Sequence, residues 1–313
     1  MSERILITPR SLTAEPHPQV EALRDNGFEI VYSTPGVLPD EAELLDLVPG
    51  CAGWLAGVEP ISERVIEAAT QLKVISRNGT GVDNLPVTLL RRRGVAIATA
   101  DGANAMGVAE LTIGLMFAAL RSIPFADAGV KQGGWPRRRG IEINGRTIGV
   151  VGCGAIGREV CRMAIGLGAS VLAYDPARPN LDLPGRSFAY VETPELLAGS
   201  DVVTLHCPPS RDGKPLLDRA GLASMRDGAA LINTARAAHV DEAALIEALD
   251  SGRLAAYATD VFEQEPPRDR KLAAHDRVIA TSHIGGFTEE SVDRATAMAA
   301  ANLVKVLRPA AQG

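Results

Sequence analysis

Several features that would assign this chain to a functional class are missing. Basic residues are not in excess: 32 Lys and Arg against 38 Asp and Glu leave a formal net charge of −6. That balance gives no electrostatic reason to bind nucleic acid or an anionic membrane surface. No apolar run reaches the roughly 18 residues that a membrane-spanning helix needs. The cysteines (Cys51, Cys153, Cys161 and Cys207) form no C-x-x-C pair. They read as reduced core thiols, and no leader-like segment follows Met1, so the cytoplasm is expected. No spacing of His, Cys and carboxylates suggests a metal site. Solenoid-period repeats and low-complexity tracts are absent too. What is left is a globular composition, 46% hydrophobic and 22% charged, in 313 residues, long enough for two domains with full cores.

The most informative stretch is Thr147-Ile-Gly-Val-Val-Gly152-Cys-Gly154-Ala-Ile-Gly157. Residues 148–151 read as a buried parallel strand, and Gly152, Gly154 and Gly157 make a G-x-G-x-x-G turn. Such a turn gives a tight bend, close backbone approach to a pyrophosphate, and close packing of helix on strand. Residues 158–167 carry apolar side chains at helical spacing, so the helix start presents free N–H groups to a diphosphate. The next strand, 170–174, ends in Asp175, where a carboxylate accepts hydrogen bonds from an adenosine ribose. Glycine turns alone are common; strand, turn, helix and acid in this order predict a dinucleotide site. Asp175 would repel a 2′-phosphate, so NAD is expected over NADP.

Around this stretch, strands and helices alternate. In the first hundred residues strands are predicted at 4–8, 28–33, 52–56, 72–76 and 95–99, with helices at 18–26, 40–47, 62–70 and 86–93. No glycine fingerprint occurs there. After 147, strands are predicted at 201–206, 229–234, 254–259 and 277–281, with a helix at 241–249 and a last helix at 289–307. Alternation of this kind means doubly wound parallel sheets. The expected fold is therefore α/β: a Rossmann NAD-binding domain, 101–285, inserted into a flavodoxin-like substrate domain made of 1–100 and 286–313. Residues 103–120 are helical and nearly apolar all round, so they should be buried between domains or against a second subunit.

In open α/β sheets, ligands sit outside the carboxyl ends of the strands. The run Ala229-Ala-Leu-Ile-Asn-Thr-Ala-Arg236 delivers an arginine, Ala255-Ala-Tyr-Ala-Thr-Asp260-Val-Phe-Glu-Gln-Glu265 two acids, and Val278-Ile-Ala-Thr-Ser-His283 a histidine. With Ser76-Arg-Asn-Gly-Thr-Gly-Val-Asp-Asn84, Val108-Ala-Glu-Leu111 and His283-Ile-Gly-Gly286, these runs resemble the D-isomer-specific 2-hydroxyacid dehydrogenases, and within them the phosphoglycerate dehydrogenase branch. The resemblance implies a catalytic triad of Arg236, Glu265 and His283. A planar arginine suits an α-carboxylate. A histidine can exchange a proton with the C2 oxygen as hydride moves to or from NAD, and a glutamate can orient that histidine and raise its pKa. The resemblance also implies cofactor contacts from Thr80, Val108, Gly152, Gly154, Ala155, Ile156, Gly157, Asp175, Cys207, Pro208, Thr234, Ala235, Arg236, Asp260, His283, Gly285 and Gly286. His206 would shape the adenine pocket. Substrate contacts would come from Asn78, Gly79, Thr80, Gly81, Asn104, Arg236 and His283. His17, His239 and His275 read as surface residues.

The sequence departs from that branch in one telling place. The resemblance implies an arginine after the third strand, where a substrate phosphate would bind, yet the segment reads Trp54-Leu-Ala-Gly-Val58. Arg77 or a second subunit would have to supply the charge. Ala237 and Ala238 replace the usual glycines, Ser282 a common proline, and no serine-sensing module follows within the 313 residues. The expected function is interconversion of a small D-2-hydroxy acid and its 2-oxo acid by an NAD-dependent homodimer. Its rivals are a D-3-phosphoglycerate dehydrogenase of serine biosynthesis and a non-catalytic NAD-sensing scaffold. A formate or phosphite dehydrogenase fits less well, because the formate enzymes resembled here lack the partner that Glu265 supplies.

Overall fold

The computed structural model describes residues 2–15, 17–210 and 212–309; the outermost positions of the expected substrate domain, 1 and 310–313, lie outside them. The chain separates into two compact units, residues 1–104 with 288–313, and residues 105–287.

The first unit holds strands β1 (Arg4–Ile7), β2 (Glu29–Tyr32), β3 (Cys51–Ala56), β4 (Val74–Arg77) and β5 (Ala96–Ala98). All pair in parallel in the order β2-β1-β3-β4-β5, the flavodoxin-like doubly wound order. Every residue of β3 is buried, as expected of a central parallel strand covered on both faces. Side-chain caps start the main helices: His17 for Pro18–Asp25, Asp40 for Glu41–Leu47, Ser62 for Glu63–Ala68 and Thr288 for Glu289–Leu307. The last of these places Ala299, Ala300, Leu303 and Leu307 in one core with Ile5, Ile7 and Leu55. The chain's final helix therefore completes a sheet begun at its start.

The second unit holds β6 (Thr147–Val151), β7 (Ser170–Tyr174), β8 (Phe188–Tyr190), β9 (Val202–Leu205), β10 (Ala229–Asn233), β11 (Leu254–Thr259) and β12 (Val278–Ala280). Their order is β12-β11-β10-β9-β6-β7-β8, parallel throughout. This is the Rossmann order with one strand added, and the direction of winding reverses between β6 and β9, where such sheets bind ligands. Strand β8 and the helices Arg10–Ala14, Thr193–Gly199 and Arg219–Ser224 were not anticipated; none is longer than seven residues.

Helix Ala105–Arg121 buries Val108, Ala109, Thr112, Leu115, Met116 and Leu120. Of these, Ala109, Leu115, Met116 and Leu120 join one core with Ile148, Val160, Ile232 and Ala258, so this face of the helix is covered within its own unit. Helix Ile123–Lys131, which follows, buries no residue. No single helix among the described residues is long and apolar enough to cross a membrane; these two pass only together, and they bend by 67°. One surface expectation needs correction. His239 is only 2% exposed, because its ring finds a carbonyl partner inside the fold. Arg93 is half-buried, donating to the carbonyls of Ile66 and Ala69.

Candidate active site

In the second unit the glycine turn leaves β6 and enters helix Ala155–Gly166, with Gly154 as N-cap. The first intrahelical bond runs from Arg158 N to Gly154 O, 3.0 Å, so the N–H groups of residues 155–157 have no acceptor within the helix. A Cβ built on Gly157 would lie 1.9 Å from Gly152 O, so hydrogen is the only tolerable substituent there. A Cβ on Gly154 would meet nothing within 4 Å. Helix-start N–H groups left without an intrahelical acceptor suit the diphosphate of a dinucleotide.

Asp175 follows β7 and closes the turn from the side. Its Oδ2 accepts from Cys153 N and its Oδ1 from Ala177 N, each 2.8 Å. Each oxygen keeps a second lone pair for a ribose hydroxyl. Arg178, the nearby cation, pairs with Glu192 at 2.5 Å, so the carboxylate sets the local charge. His206 follows β9; its Nε2 lies 2.9 Å from Thr204 Oγ1 and its Nδ1 is buried without a partner. Burial pushes its pKa down to about 3, so the ring is a neutral wall. Burial also raises the thiol of Cys207, and Pro208 beyond it is exposed. Ala155 is exposed and Ile156 half-buried at the helix start.

The three later strands end side by side. Arg236 lies three residues past β10, and its turn is braced by Asn233, whose Nδ2 donates to Arg236 O (2.8 Å) and whose Oδ1 accepts from Ala235 N (3.1 Å). Thr234 is buried, with its Oγ1 3.0 Å from that of Thr112. Asp260, 2% exposed at the end of β11, accepts from Thr281 Oγ1 (2.6 Å), Ile284 N (2.9 Å) and Gly285 N (2.8 Å). It thereby holds the loop carrying His283, and Gly285 of that loop lies against Val108. Gly286 is half-buried beside it. His283 has φ +57°, a left-handed conformation costing a non-glycine residue roughly 1–2 kcal/mol, which the surrounding bonds must overcome.

From that position His283 Nδ1 meets Glu265 Oε2 at 2.7 Å, while Glu265 Oε1 accepts from Phe262 N at 3.1 Å. The hydrogen bond to Glu265 raises the pKa of His283, outweighing the opposing effect of burial. Burial alone would raise the pKa of Glu265, but the hydrogen bond from His283, the Phe262 N–H and the charges of His283 and Arg236 bring it below its ordinary value. With Nδ1 engaged, Nε2 is the atom that can exchange a proton with a ligand.

In the first unit, Asn78 to Gly81 follow β4. Asn78 N donates to Ala56 O and Gly79 O accepts from Ala100 N, both 2.9 Å. Thr80 is exposed, and Gly81 O accepts from Arg77 Nε at 2.7 Å. Arg77 is only 5% exposed, and its Nη1 donates to Ala56 O at the end of β3, so two of its guanidinium nitrogens are engaged by backbone carbonyls. Asn104 Oδ1 is buried without a protein partner. The end of β3 carries an acid: Glu59 is fully buried, its Oε1 accepting from Gly57 N at 3.0 Å and from Thr8 Oγ1. Burial raises its pKa against those hydrogen bonds and Arg77. Among the described residues no His, Cys and carboxylate cluster could hold a metal ion.

Residues 113–285 match the model of the D-isomer specific 2-hydroxyacid dehydrogenase NAD-binding domain. The chain belongs to the D-isomer specific 2-hydroxyacid dehydrogenases. It is accordingly an NAD-dependent oxidoreductase, with NAD held by the second unit. It is 40% identical to a hydroxypyruvate reductase of Thermotoga maritima over 82% of this chain and 84% of that one. It is 42% identical to a D-3-phosphoglycerate dehydrogenase of Methanocaldococcus jannaschii over 79% of this chain, but spans only 48% of that protein's length. An NAD+-bound 3-phosphoglycerate dehydrogenase of Entamoeba histolytica superposes with a TM-score of 0.81 at 25% identity, covering 98% of this chain and 96% of that one.

Two side chains that matter to this geometry were not given a role from the sequence. Thr281 is ordinary in composition, and only the pairing of β11 with β12 brings it to Asp260. His239 reads as one more polar residue near a helix end, and nothing local indicates its partner.

Proposed function

We propose that the protein interconverts a small, unphosphorylated D-2-hydroxy acid and its 2-oxo acid. The observation that carries this reading is the 2.7 Å contact of His283 Nδ1 with Glu265, in a loop anchored beside the turn of Arg236. NAD supplies or accepts the hydride. Arg236 grips the α-carboxylate and polarises the adjacent carbonyl. His283, held protonated by Glu265, gives a proton from Nε2 to the C2 oxygen in reduction and takes it back in oxidation. The proposal also gives residues 78–81 and Asn104 a part in gripping the acid, and Asp260 a contact to the nicotinamide amide besides its hold on the His283 loop.

The likeness to phosphoglycerate dehydrogenases favours a phosphorylated substrate as a second reading. Against it stand Ala56, Gly57 and Val58 with no cation, the buried acid Glu59 directly behind them, and Arg77 turned onto carbonyls. A phosphate without a paired cation would be costly to hold out of water. We also propose a homodimer. Its contact surface is helix Ile123–Lys131 with its flanks, where Ile123 is 51%, Val130 50% and Trp135 81% exposed, a concentration of apolar surface that calls for a partner. The test of function is NADH oxidation with glyoxylate, hydroxypyruvate and 3-phosphohydroxypyruvate. The unphosphorylated acids should give at least about tenfold higher kcat/KM, the equivalent of one unpaired charge contact. Preference for the phosphorylated acid would reverse the assignment.

A further inference from the structure

His239 sits at a junction of three segments of the second unit. Its Nε2 lies 2.9 Å from the carbonyl oxygen of Cys207, after β9. A carbonyl only accepts, so the imidazole carries a proton on Nε2 and donates it. Its backbone N donates to Arg236 O (3.2 Å) and its backbone O accepts from Leu217 N (2.9 Å). Arg236 O thus receives hydrogen bonds from both sides, from His239 N and from Asn233 Nδ2. The three-residue 3₁₀ turn Ala237–His239 starts immediately after Arg236, so any displacement of the ring is passed to the arginine through two residues of rigid turn.

At its other end the same side chain bears on the cofactor turn. The peptide joining His206 to Cys207 packs directly against Gly152: a Cβ built there would lie 2.7 Å from Cys207 N and from His206 O. His206 N also donates to Val151 O at 2.7 Å. The carbonyl that His239 holds therefore belongs to the segment against which the glycine turn rests. We propose that His239 is a positioning residue of the hydride-transfer site, tying the segment beneath the dinucleotide turn to the turn that carries Arg236, so that cofactor affinity and the placement of the carboxylate-binding arginine depend on one Nε2–H donor.

The surroundings suit a neutral donor. The ring is 2% exposed. Burial lowers its pKa, and the positive charge of Arg236 adds to this, against the hydrogen bond to Cys207 O. The Cys207 thiol, 4.0 Å from Nε2, is itself held protonated by burial. This inference rests on the proposed role of Arg236, but half of its test concerns NADH alone and needs no knowledge of the substrate.

The test compares His239→Leu, His239→Gln and His239→Asn in the full chain. NADH dissociation constants come from cofactor fluorescence, kcat and KM from the best 2-oxo acid, and Tm from thermal melting. A glutamine amide can reach Cys207 O; an asparagine amide is a bond too short. His239→Leu and His239→Asn should weaken NADH binding and lower kcat, each by about tenfold, as expected when a buried carbonyl loses its donor. His239→Gln should stay within about threefold of the parent for the same reason. Should His239→Leu fail to fold, the contrast of Gln with Asn carries the test alone. Normal NADH binding and kcat in a folded His239→Asn variant would overturn the proposal. So would equal losses in Gln and Asn, because the donor would then not be what matters.

Discussion

The loop that presents His283 is held by a single buried carboxylate, and replacing Asp260 with Asn tests how much depends on it. Asp260 receives three donors: Thr281 Oγ1 and Ile284 N on Oδ1, and Gly285 N on Oδ2. Asparagine has one acceptor oxygen. If that oxygen keeps the two donors of Oδ1, its NH2 faces the Gly285 N–H, and a buried donor is left unpaired at about 1–3 kcal/mol. The two surviving bonds lose their charge assistance, roughly half the strength of each. Together the change costs roughly 2–4 kcal/mol. His283 already sits at φ +57°, so the loop is the part with least reason to stay put. If the whole cost falls on placing His283, kcat drops roughly 30- to 1000-fold, at about 1.36 kcal/mol per factor of ten. Steady-state kinetics with NADH, a thermal melt and hydrogen exchange at the Ile284 and Gly285 amides measure this together. A kcat within about threefold of the parent, with both amides still protected, would refute the reasoning, since that is less than the 1 kcal/mol of one ordinary hydrogen bond. A lowered Tm with normal kcat would assign the carboxylate to the fold and not to the loop.

Two further changes probe the neighbouring groups. In Glu265→Gln the hydrogen bond that raises the pKa of His283 loses its charge. In the proposed mechanism reduction needs the protonated imidazole, so its rate holds at low pH and falls as pH rises through that raised pKa. The alkaline fall should move to lower pH in the variant, and the rise of hydroxy-acid oxidation should move with it; superimposable pH profiles would exclude Glu265 as the tuning group. Gly157→Ala puts a methyl 1.9 Å from Gly152 O, a backbone atom that cannot step aside. NADH binding should weaken by more than about tenfold and Tm should fall, in line with overpacking costs of 1–3 kcal/mol; binding equal to the parent would mean that the helix does not need to approach β6 so closely.

How far the sequence carried the fold depended on the range of each signal. The glycine turn and the acid at 175 were legible because turn geometry, strand and helix lie within thirty residues of one another. Strand β8 was not, since Phe188-Ala-Tyr190 is too short to show a period of two. Helices Thr193–Gly199 and Arg219–Ser224 did carry local signals, a proline in the first turn and Asp218 as N-cap, but each offers only two turns of apolar pattern. Residues 103–120 were rightly read as helical and wanting burial. What covers them is mostly their own unit's core, and periodicity alone cannot distinguish one apolar covering from another. The homodimer proposed above is accordingly assigned to Ile123, Val130 and Trp135, which are exposed.

The same limit explains the charged and polar residues. Glu265 and His283 were paired by resemblance, and the structure brings them to 2.7 Å across eighteen residues of loop and strand. Arg77 and Glu59 were not legible as a buried network: their partners, Ala56 O, Gly81 O, Gly57 N and Thr8, come together only when β1, β3 and β4 lie side by side. His239 is the clearest case. Its carbonyl partner is 32 residues away in the chain, and histidine as a type is neither reliably buried nor reliably exposed. A polar side chain becomes buried when the fold supplies the complementary atom, and that atom belongs to the topology. The residues whose roles are fixed by long-range partners are therefore those where sequence reading is weakest. Within each unit they also tie separate strand ends together, as His239 does for the turns after β9 and β10.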